Sequence, residues 1–333
     1  MNTSKSMRSS NVNTLEVDKE KVLAEIEKNE QYEDNGLFLK KYETDSDAIQ
    51  FLTTISKPNS SFIGILNEKF EREGYGLNNF ENGDQYLGNF SRDQRNGNGI
   101  YFWAPEQKGK VQLSECYYGF WENNQKEKNG IYLWLEEPEN NDQFDSANFD
   151  AYVGEVENDT YKRGTYLSKV GDDYYLYHGN FDTEGRKTDD DAYFYSSKND
   201  RLLHGKINRD NFVNGYVSFF DSSTGLLKDM AHCTFGKDGS VTKMVMKEDL
   251  QKDERTREEN AITLFRNVIL EVDYFGYIYS KIKEIKNFID ENMESADVLE
   301  DQEKYAELEK LCEDYNNSNI YNDIEKNAFE AQE

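Results

Sequence analysis

Apolar and polar positions alternate in short runs through residues 62–245, where aromatic residues and glycines recur. Tyr86, Gly88 and Phe90 are two positions apart, so they share one face of a predicted strand. A polar, glycine-containing stretch follows, and Gly99-Ile100-Tyr101 begins a return strand. This pattern predicts a β-hairpin.

The hairpin pattern recurs along the chain as aromatic-x-Gly-x-aromatic, a polar turn, then Gly-x-Tyr. We expect six or seven degenerate repeats, the last of them over 230–246. Polar insertions at 104–115 and 136–149 lengthen two of the spacings. The repeat framework consists of Gly64, Tyr86, Gly88, Phe90, Gly97, Gly99, Tyr101, Tyr117, Gly119, Trp121, Gly130, Tyr132, Tyr152, Gly154, Gly164, Tyr166, Tyr177, Gly179, Phe181, Gly205 and Gly215.

Each central glycine has a physical role in this scheme. A glycine between two rings on one strand face leaves room for a ring that would otherwise meet a Cβ. One hairpin alone is marginally stable in water. A row of hairpins can stack its aromatic faces into a continuous narrow core, which suits a chain with only 36% hydrophobic residues but 14% aromatic ones.

These repeats resemble the MORN (membrane occupation and recognition nexus) repeat over about residues 62–245. The resemblance implies a mainly β protein: an elongated, single-layer antiparallel β-hairpin array, a MORN-like solenoid. It also implies a scaffold role, since relatives include ciliary spoke and central-apparatus subunits and cytoskeletal organisers. Lipid binding has been attributed to the family, and some relatives carry a fused catalytic domain.

Apolar residues recur at helical spacing on both sides of the array. Residues 1–14 are predicted to be disordered and 15–57 helical, with one helix over 15–30 and a second over Ser46–Ile55. The segment 247–289 is predicted to be helical, with one long amphipathic helix over 261–289. This helix either caps the last repeat or docks onto another subunit or a second copy. Its candidate partner contacts are Ile262, Phe265, Ile269, Val272, Phe275, Tyr279 and Ile282.

Charge narrows the choice of partners. The net charge is −27, which argues against nucleic acid and against an anionic membrane surface. The segment 290–333 holds 15 acidic and 3 basic residues, and we interpret it as an acidic helical tail. Three widely spaced cysteines predict no disulfide framework and indicate a reducing compartment. The N-terminus lacks a secretory signal, and an organellar presequence remains an alternative.

We find no motif for catalysis, a cofactor, a metal or a small-molecule substrate. His178, His204 and His232 fall near one register in successive repeats, but equivalent strands lie about 10 Å apart, too far for one metal ion. Asp189-Asp190-Asp191 lacks the spacing of a calcium loop. We therefore expect a non-enzyme.

The segment contains more aromatic residues than the ring positions of one narrow repeat face can hold. The extra rings either face a partner or lie under the helices and insertions. The expected function is a non-catalytic scaffold or adaptor subunit that binds other protein subunits in the cytoplasm, and the resemblance to MORN proteins implies a ciliary axoneme as its location. A homodimer, a membrane-associated phosphoinositide-binding organiser, a regulatory subunit recruiting an enzyme and an organellar complex stay open as alternatives. The extra rings are Trp103, Tyr118, Phe120, Trp134, Tyr175 and Phe219.

Overall fold

The computed structural model describes residues 18–29, 31–34, 37–42, 50–57, 60–108, 111–138, 148–221, 224, 226–269 and 272–291. Within these ranges seventeen strands form one sheet, and each strand pairs antiparallel with the next along the chain. The predicted mainly β class and antiparallel hairpin array are confirmed. The strands are β1 Gln31–Asp34, β2 Leu37–Tyr42, β3 Gln50–Lys57, β4 Ser60–Asn67, β5 Arg72–Asn79, β6 Gln85–Ser91, β7 Gln94–Lys108, β8 Val111–Glu122, β9 Gln125–Pro138, β10 Asn148–Glu157, β11 Thr160–Val170, β12 Asp173–Asn180, β13 Asp189–Ser196, β14 Arg201–Asn208, β15 Asn211–Phe220, β16 Leu227–Phe235 and β17 Val241–Met246.

The N-terminal segment departs from the helical prediction. The helix α1 spans Lys19–Asn29, but β1, β2 and β3 follow it and extend the sheet. The helix predicted over Ser46–Ile55 is wrong where it overlaps β3, while Ser46 lies outside the described residues. β-branched residues favour a strand here, and Thr53 pairs with Gly64 and donates its hydroxyl to the Phe38 carbonyl at 2.8 Å.

The insertion predicted at 104–115 is not a loop. It lengthens β7 and β8, which become strands of 15 and 12 residues, and only residues 109–110 between them lie outside the described residues. Pro105 lies where the β7–β8 register shifts between Trp103 and Glu106. Such an irregularity accommodates a residue that has no amide to donate. The second insertion lengthens β9 to Pro138, and residues 139–147 lie outside the described residues.

The two faces of the sheet carry different cores. The ring face carries the aromatic residues of the repeat, such as Tyr86 and Tyr117, and α1 covers its N-terminal end with Val22 and Ile26. The helix face carries mostly aliphatic residues and packs against Ile262, Ile282, Ile285 and Ile289 of the C-terminal helices. Each strand therefore contributes alternate residues to two separate apolar layers.

Two C-terminal helices replace the single predicted one: α2 spans Lys252–Ile269 and α3 spans Val272–Glu291. Glu258 of α2 contacts His204 of β14, whereas Lys286 of α3 lies over the ring of Phe102 of β7, 5.8 Å from its centroid. The helices therefore cross the helix face rather than only capping the last hairpin. No helix in the described part of the chain is long and apolar enough to cross a membrane.

Candidate functional site: the ring face of the sheet

A row of glycines crosses the sheet from β4 to β12. Nine consecutive strands place glycine opposite glycine, and Ala192 takes the position in β13 before Gly205 and Gly215 continue the row in β14 and β15. All the predicted central glycines therefore lie in one line. The row in β4 to β12 consists of Gly64, Gly76, Gly88, Gly99, Gly119, Gly130, Gly154, Gly164 and Gly179.

Tyrosine rings fill the space that the glycines leave. A Cβ on Gly99 would lie 2.3 Å from the Tyr86 hydroxyl, and one on Gly130 would lie 2.3 Å from the Tyr117 hydroxyl. The Tyr86 hydroxyl donates to the Asn89 carbonyl at 3.0 Å, so the ring lies folded over the glycine pair. The same bond recurs from Tyr152 and Tyr177 to the carbonyl three residues on. The glycines therefore provide a groove for buried rings.

Beside the glycine row runs a ladder of eight aromatic rings, one from each strand of β6 to β13. Neighbouring rings make tilted contacts, for example Tyr117 and Tyr132, whose centroids are 5.8 Å apart. Such pairs stabilise beyond their buried area. The ladder consists of Tyr86, Tyr101, Tyr117, Tyr132, Tyr152, Tyr166, Tyr177 and Phe194.

The tyrosines of β7, β9 and β11 each donate to a carboxylate on the preceding strand or, for β7, immediately before it. The Tyr101 hydroxyl donates to Asp84 at 2.6 Å, Tyr132 donates to Glu115, and Tyr166 bonds to Asp150. Burial, reinforced by these carboxylates, raises the pKa of each of the three phenols well above its usual range. The phenols therefore stay protonated and act as donors.

On the opposite side of the ladder lies a line of largely buried cations, Arg72, Arg95, Lys126 and Lys187. Arg95 lies 4.2 Å from the Trp121 ring centroid, and Lys126 lies 4.8 Å from that of Tyr132. Burial lowers the pKa of Lys126 to about 8, although Asp159 and Glu115 oppose that shift. No pattern in the sequence predicted this line of cations.

Tight turns hold the cations in place. In four turns both residues have positive φ, as in type I′ hairpins, and the second side chain accepts from the backbone N–H of a basic residue in the previous hairpin. The acceptors are Asp93 for Arg72 at 2.9 Å, Asn124 for Arg95 at 2.9 Å, Asp159 for Lys126 at 2.8 Å and Asp210 for Lys187 at 3.0 Å. Each of these four hairpins is thereby hydrogen-bonded to the one before it.

The most accessible part of the ladder lies at its other margin. Trp103, Glu115, Trp134 and Asp150 are opposed in register on β7, β8, β9 and β10, and all four are half-buried. We call these four residues the outer row. Tyr132 stacks between the two indoles, with its centroid 5.2 Å from that of Trp103 and 4.1 Å from that of Trp134. Aromatic surface and carboxylates therefore alternate along the outer row.

The structure separates the other predicted rings. Tyr118 is buried on the helix face, so it faces the chain's own core. Phe120, Tyr175 and Phe219 are half-buried, and Lys128 lies 3.5 Å from the Phe120 ring centroid. Trp103 and Trp134 are also half-buried and share one row with Glu115 and Asp150. Phe120 and Phe219 lie outside that row, opposite Glu127 and Asp229.

The candidate partner contacts on the C-terminal helices are partly accounted for within the chain. Ile262, Tyr279 and Ile282 are buried in the helix-face core and are not accessible to a partner in this arrangement. The side chains of the other four lie outside the described set, so their role stays a prediction. Those four are Phe265, Ile269, Val272 and Phe275.

The three histidines lie in one cross-strand row on the helix face, as the repeat register predicts. Tyr193 and Tyr216 separate them, and the Tyr193 ring stacks on His204 at 4.1 Å. His204 bridges Glu258 and Asp191, each at 2.8 Å. Across the described ranges no three His, Cys, Asp or Glu side chains form a group that could hold a metal ion. The row therefore fastens α2 to the sheet.

Comparison with known proteins adds no family to this picture. No family model matches the chain, and no curated protein matches it significantly.

Proposed function

We propose that the protein is a non-catalytic scaffold or adaptor subunit that binds other proteins through the ring face. The observation that supports this most is the outer row, where two half-buried tryptophans alternate with two carboxylates on adjacent strands. Tryptophan and tyrosine are enriched where binding energy concentrates at protein interfaces.

The rigidity of the surface supports the same role. Hydrogen bonds to backbone carbonyls or carboxylates hold six of the ladder rings in one orientation before any partner arrives: Tyr86, Tyr101, Tyr132, Tyr152, Tyr166 and Tyr177. A preorganised surface loses little side-chain entropy on binding. Since consecutive strands are hydrogen-bonded throughout, the chain offers one continuous framework for several contacts.

Placement in a ciliary axoneme is part of the proposal and rests on the resemblance of the repeats to MORN proteins. That resemblance comes from Tyr-x-Gly-x-Phe followed by Gly-x-Gly-x-Tyr. In this unit Tyr86 and Tyr101 belong to the ring ladder, and Gly88 and Gly99 belong to the glycine row. Fold-level resemblance is an associational argument, so location needs its own measurement.

The experiment is detergent fractionation of cells that carry the tagged protein, with imaging before and after extraction. Retention on a detergent-resistant, salt-stable axoneme or cytoskeleton, with crosslinks to stoichiometric protein neighbours, is the expected result. Release with the membrane fraction would favour a lipid-binding organiser. A wholly soluble chain that co-purifies with a catalytic subunit would favour a regulatory role.

A further inference from the structure

We propose that the outer row binds an extended basic segment of a partner protein, with two arginines three residues apart in a polyproline II conformation. This inference rests on the proposed scaffold function and names the chemistry of the partner. Three features of the ring face carry it: the identity of the four side chains, their spacing and the distribution of charge around them.

The side chains fit a cation on an aromatic support. A guanidinium stacks on an indole face and pairs with a carboxylate at the same time. Glu115 accepts from the Tyr132 hydroxyl, and Asp150 bonds to Tyr166. A carboxylate has two oxygens and about four acceptor sites, so both side chains keep the capacity to accept from an incoming arginine.

The spacing selects the conformation of the segment. Glu115 is on β8 and Asp150 on β10, with Trp134 of β9 between them. Two strand spacings amount to about 9.6 Å. Residues three apart in a polyproline II helix project from the same side and lie about 9.3 Å apart. The segment would pass over Trp134, and the prolines between the arginines would hold it in the polyproline II conformation.

The charge distribution favours a basic partner over an acidic one. Two cations, Lys126 and Lys187, lie against the rings; they interact with the turn carboxylates Asp159 and Asp210 and also with Glu115 and Asp150. These four carboxylates outnumber the two lysines, both outer-row carboxylates are more exposed than the buried Lys126, and the whole chain carries −27. An approaching basic segment is therefore attracted at long range and meets carboxylates first.

The test measures binding of two labelled peptides of identical composition by fluorescence anisotropy. One contains Arg-Pro-Pro-Arg, and the other contains the same residues as Arg-Arg-Pro-Pro. We expect the first to bind more tightly, by about tenfold, and its binding to weaken as salt is added. Equal affinity for the two peptides, or no binding of either, would overturn the proposal.

Matched variants locate the site. The double variant Glu115→Gln with Asp150→Asn keeps hydrogen-bond acceptors for the tyrosines but removes both charges, and we expect its affinity to fall about tenfold or more. The control double variant, Glu122→Gln with Glu157→Gln, removes two charges from exposed positions at the opposite ends of the same strands. We expect it to bind like the wild type. An equal loss in both variants would show a general charge effect and contradict the site.

The same variants separate this inference from the proposed function. The tagged Glu115→Gln, Asp150→Asn chain is carried through the detergent fractionation beside the wild type. Loss of a crosslinked neighbour from this variant alone supports both claims. Unchanged neighbours refute the docking site but leave the scaffold function standing, whereas a wild-type chain with no protein neighbours refutes the scaffold function itself.

Discussion

The two faces of the sheet are stabilised in different ways. The helix face is a conventional apolar layer in which strands and helices bury aliphatic side chains such as Leu87 and Ile282. The ring face is covered by α1 at its N-terminal end, and over the rest of the sheet it gains stability from rings set into a glycine groove and from cations buried against those rings. Within the described part of the chain, the comparison shows that a sheet can bury rings without a covering second layer when glycine lets the rings lie flat.

The largest expected effect comes from filling the glycine groove. In Gly88→Val a Cβ would lie 2.5 Å from the Gly99 Cα and 2.7 Å from the Asn98 carbonyl, both of which are backbone atoms that cannot move aside cheaply. We expect a loss of about 3 kcal/mol or more in the free energy of unfolding, measured by chemical denaturation. Gly171→Asn is the control, since nothing lies within 4 Å of its Cβ position and asparagine tolerates its φ of +62°. Equal losses would contradict the groove.

On the helix face, the corresponding prediction concerns pH. Burial by itself would lower the pKa of His204, but the hydrogen bonds that the imidazole donates to Asp191 and Glu258, and the charges of these carboxylates, outweigh it and raise the pKa to about 9. The folded state therefore holds this proton more tightly than the unfolded chain does. The contribution is complete below about pH 6.5 and is lost as the pH rises through about 9. Comparing the wild type with His204→Gln, we expect the difference in unfolding free energy to shrink over that window, from at most about 3 kcal/mol.

His178 provides the opposite case on the same face. Burial, together with the charge of Arg163, lowers the pKa of His178 to about 3, so the imidazole stays neutral in the folded chain. Acidification from pH 6.5 towards 3 then favours the unfolded state, which binds the proton. Denaturation of His178→Gln across that range should show less acid sensitivity than the wild type. The same pH trend for both histidines would contradict the assigned environments.

Removing one buried cation should have a smaller effect. Arg95→Met loses the contact with Trp121 and the bonds to Asn124, with Nε to Oδ1 at 3.3 Å and Nη2 to the carbonyl at 3.0 Å. We expect the free energy of unfolding to fall by about 2 kcal/mol. Arg201→Met is matched to it, because Arg201 is exposed and lies over Phe219 at 5.1 Å. The free energy of unfolding of Arg201→Met should fall by less than about 1 kcal/mol. An equal fall in both variants would show that burial of the cation against the rings does not determine its contribution to stability.

The smallest expected effect lies in the turns. Asp159→Ala removes the acceptor for the Lys126 amide while leaving the backbone bond from the Asp159 N–H to the Lys126 carbonyl. We expect a loss of about 1 kcal/mol in thermal or chemical denaturation. Asp159→Asn keeps an acceptor oxygen and should recover most of that loss. If Asp159→Asn is as unstable as Asp159→Ala, the loss comes from the missing negative charge and not from the missing acceptor.

The repeat pattern predicted much of the fold because glycine and tyrosine positions carry the register. Tyr86, Gly88 and Gly99 identify a hairpin from local spacing alone. The helix predicted across β3 fails because pairing with β4 outweighs the local preference of a short segment. The course of α2 and α3 across the helix face depends on contacts between residues far apart, such as Glu258 and His204, which no local pattern reveals.

The candidate site was only partly predictable. The tryptophans were recognised as surplus rings, but their carboxylate neighbours were not, although Glu115 and Asp150 each stand two positions before the tyrosine of a Tyr-x-Gly unit. Similarly, Arg95 and Lys126 each stand four positions before the second glycine of a hairpin. These spacings are regular, but the contacts that each residue makes depend on which strands pair, and a local spacing does not show that.

The most direct test of the outer row uses the chain's own fluorescence. The chain has three tryptophans, and Trp121 is 0% exposed. In Trp103→Phe, acrylamide quenching therefore reports mainly on Trp134. We expect the Arg-Pro-Pro-Arg peptide to reduce that quenching in proportion to its binding, because the segment covers Trp134. Unchanged quenching while anisotropy shows the peptide bound would contradict the claim that the ring face is the binding surface.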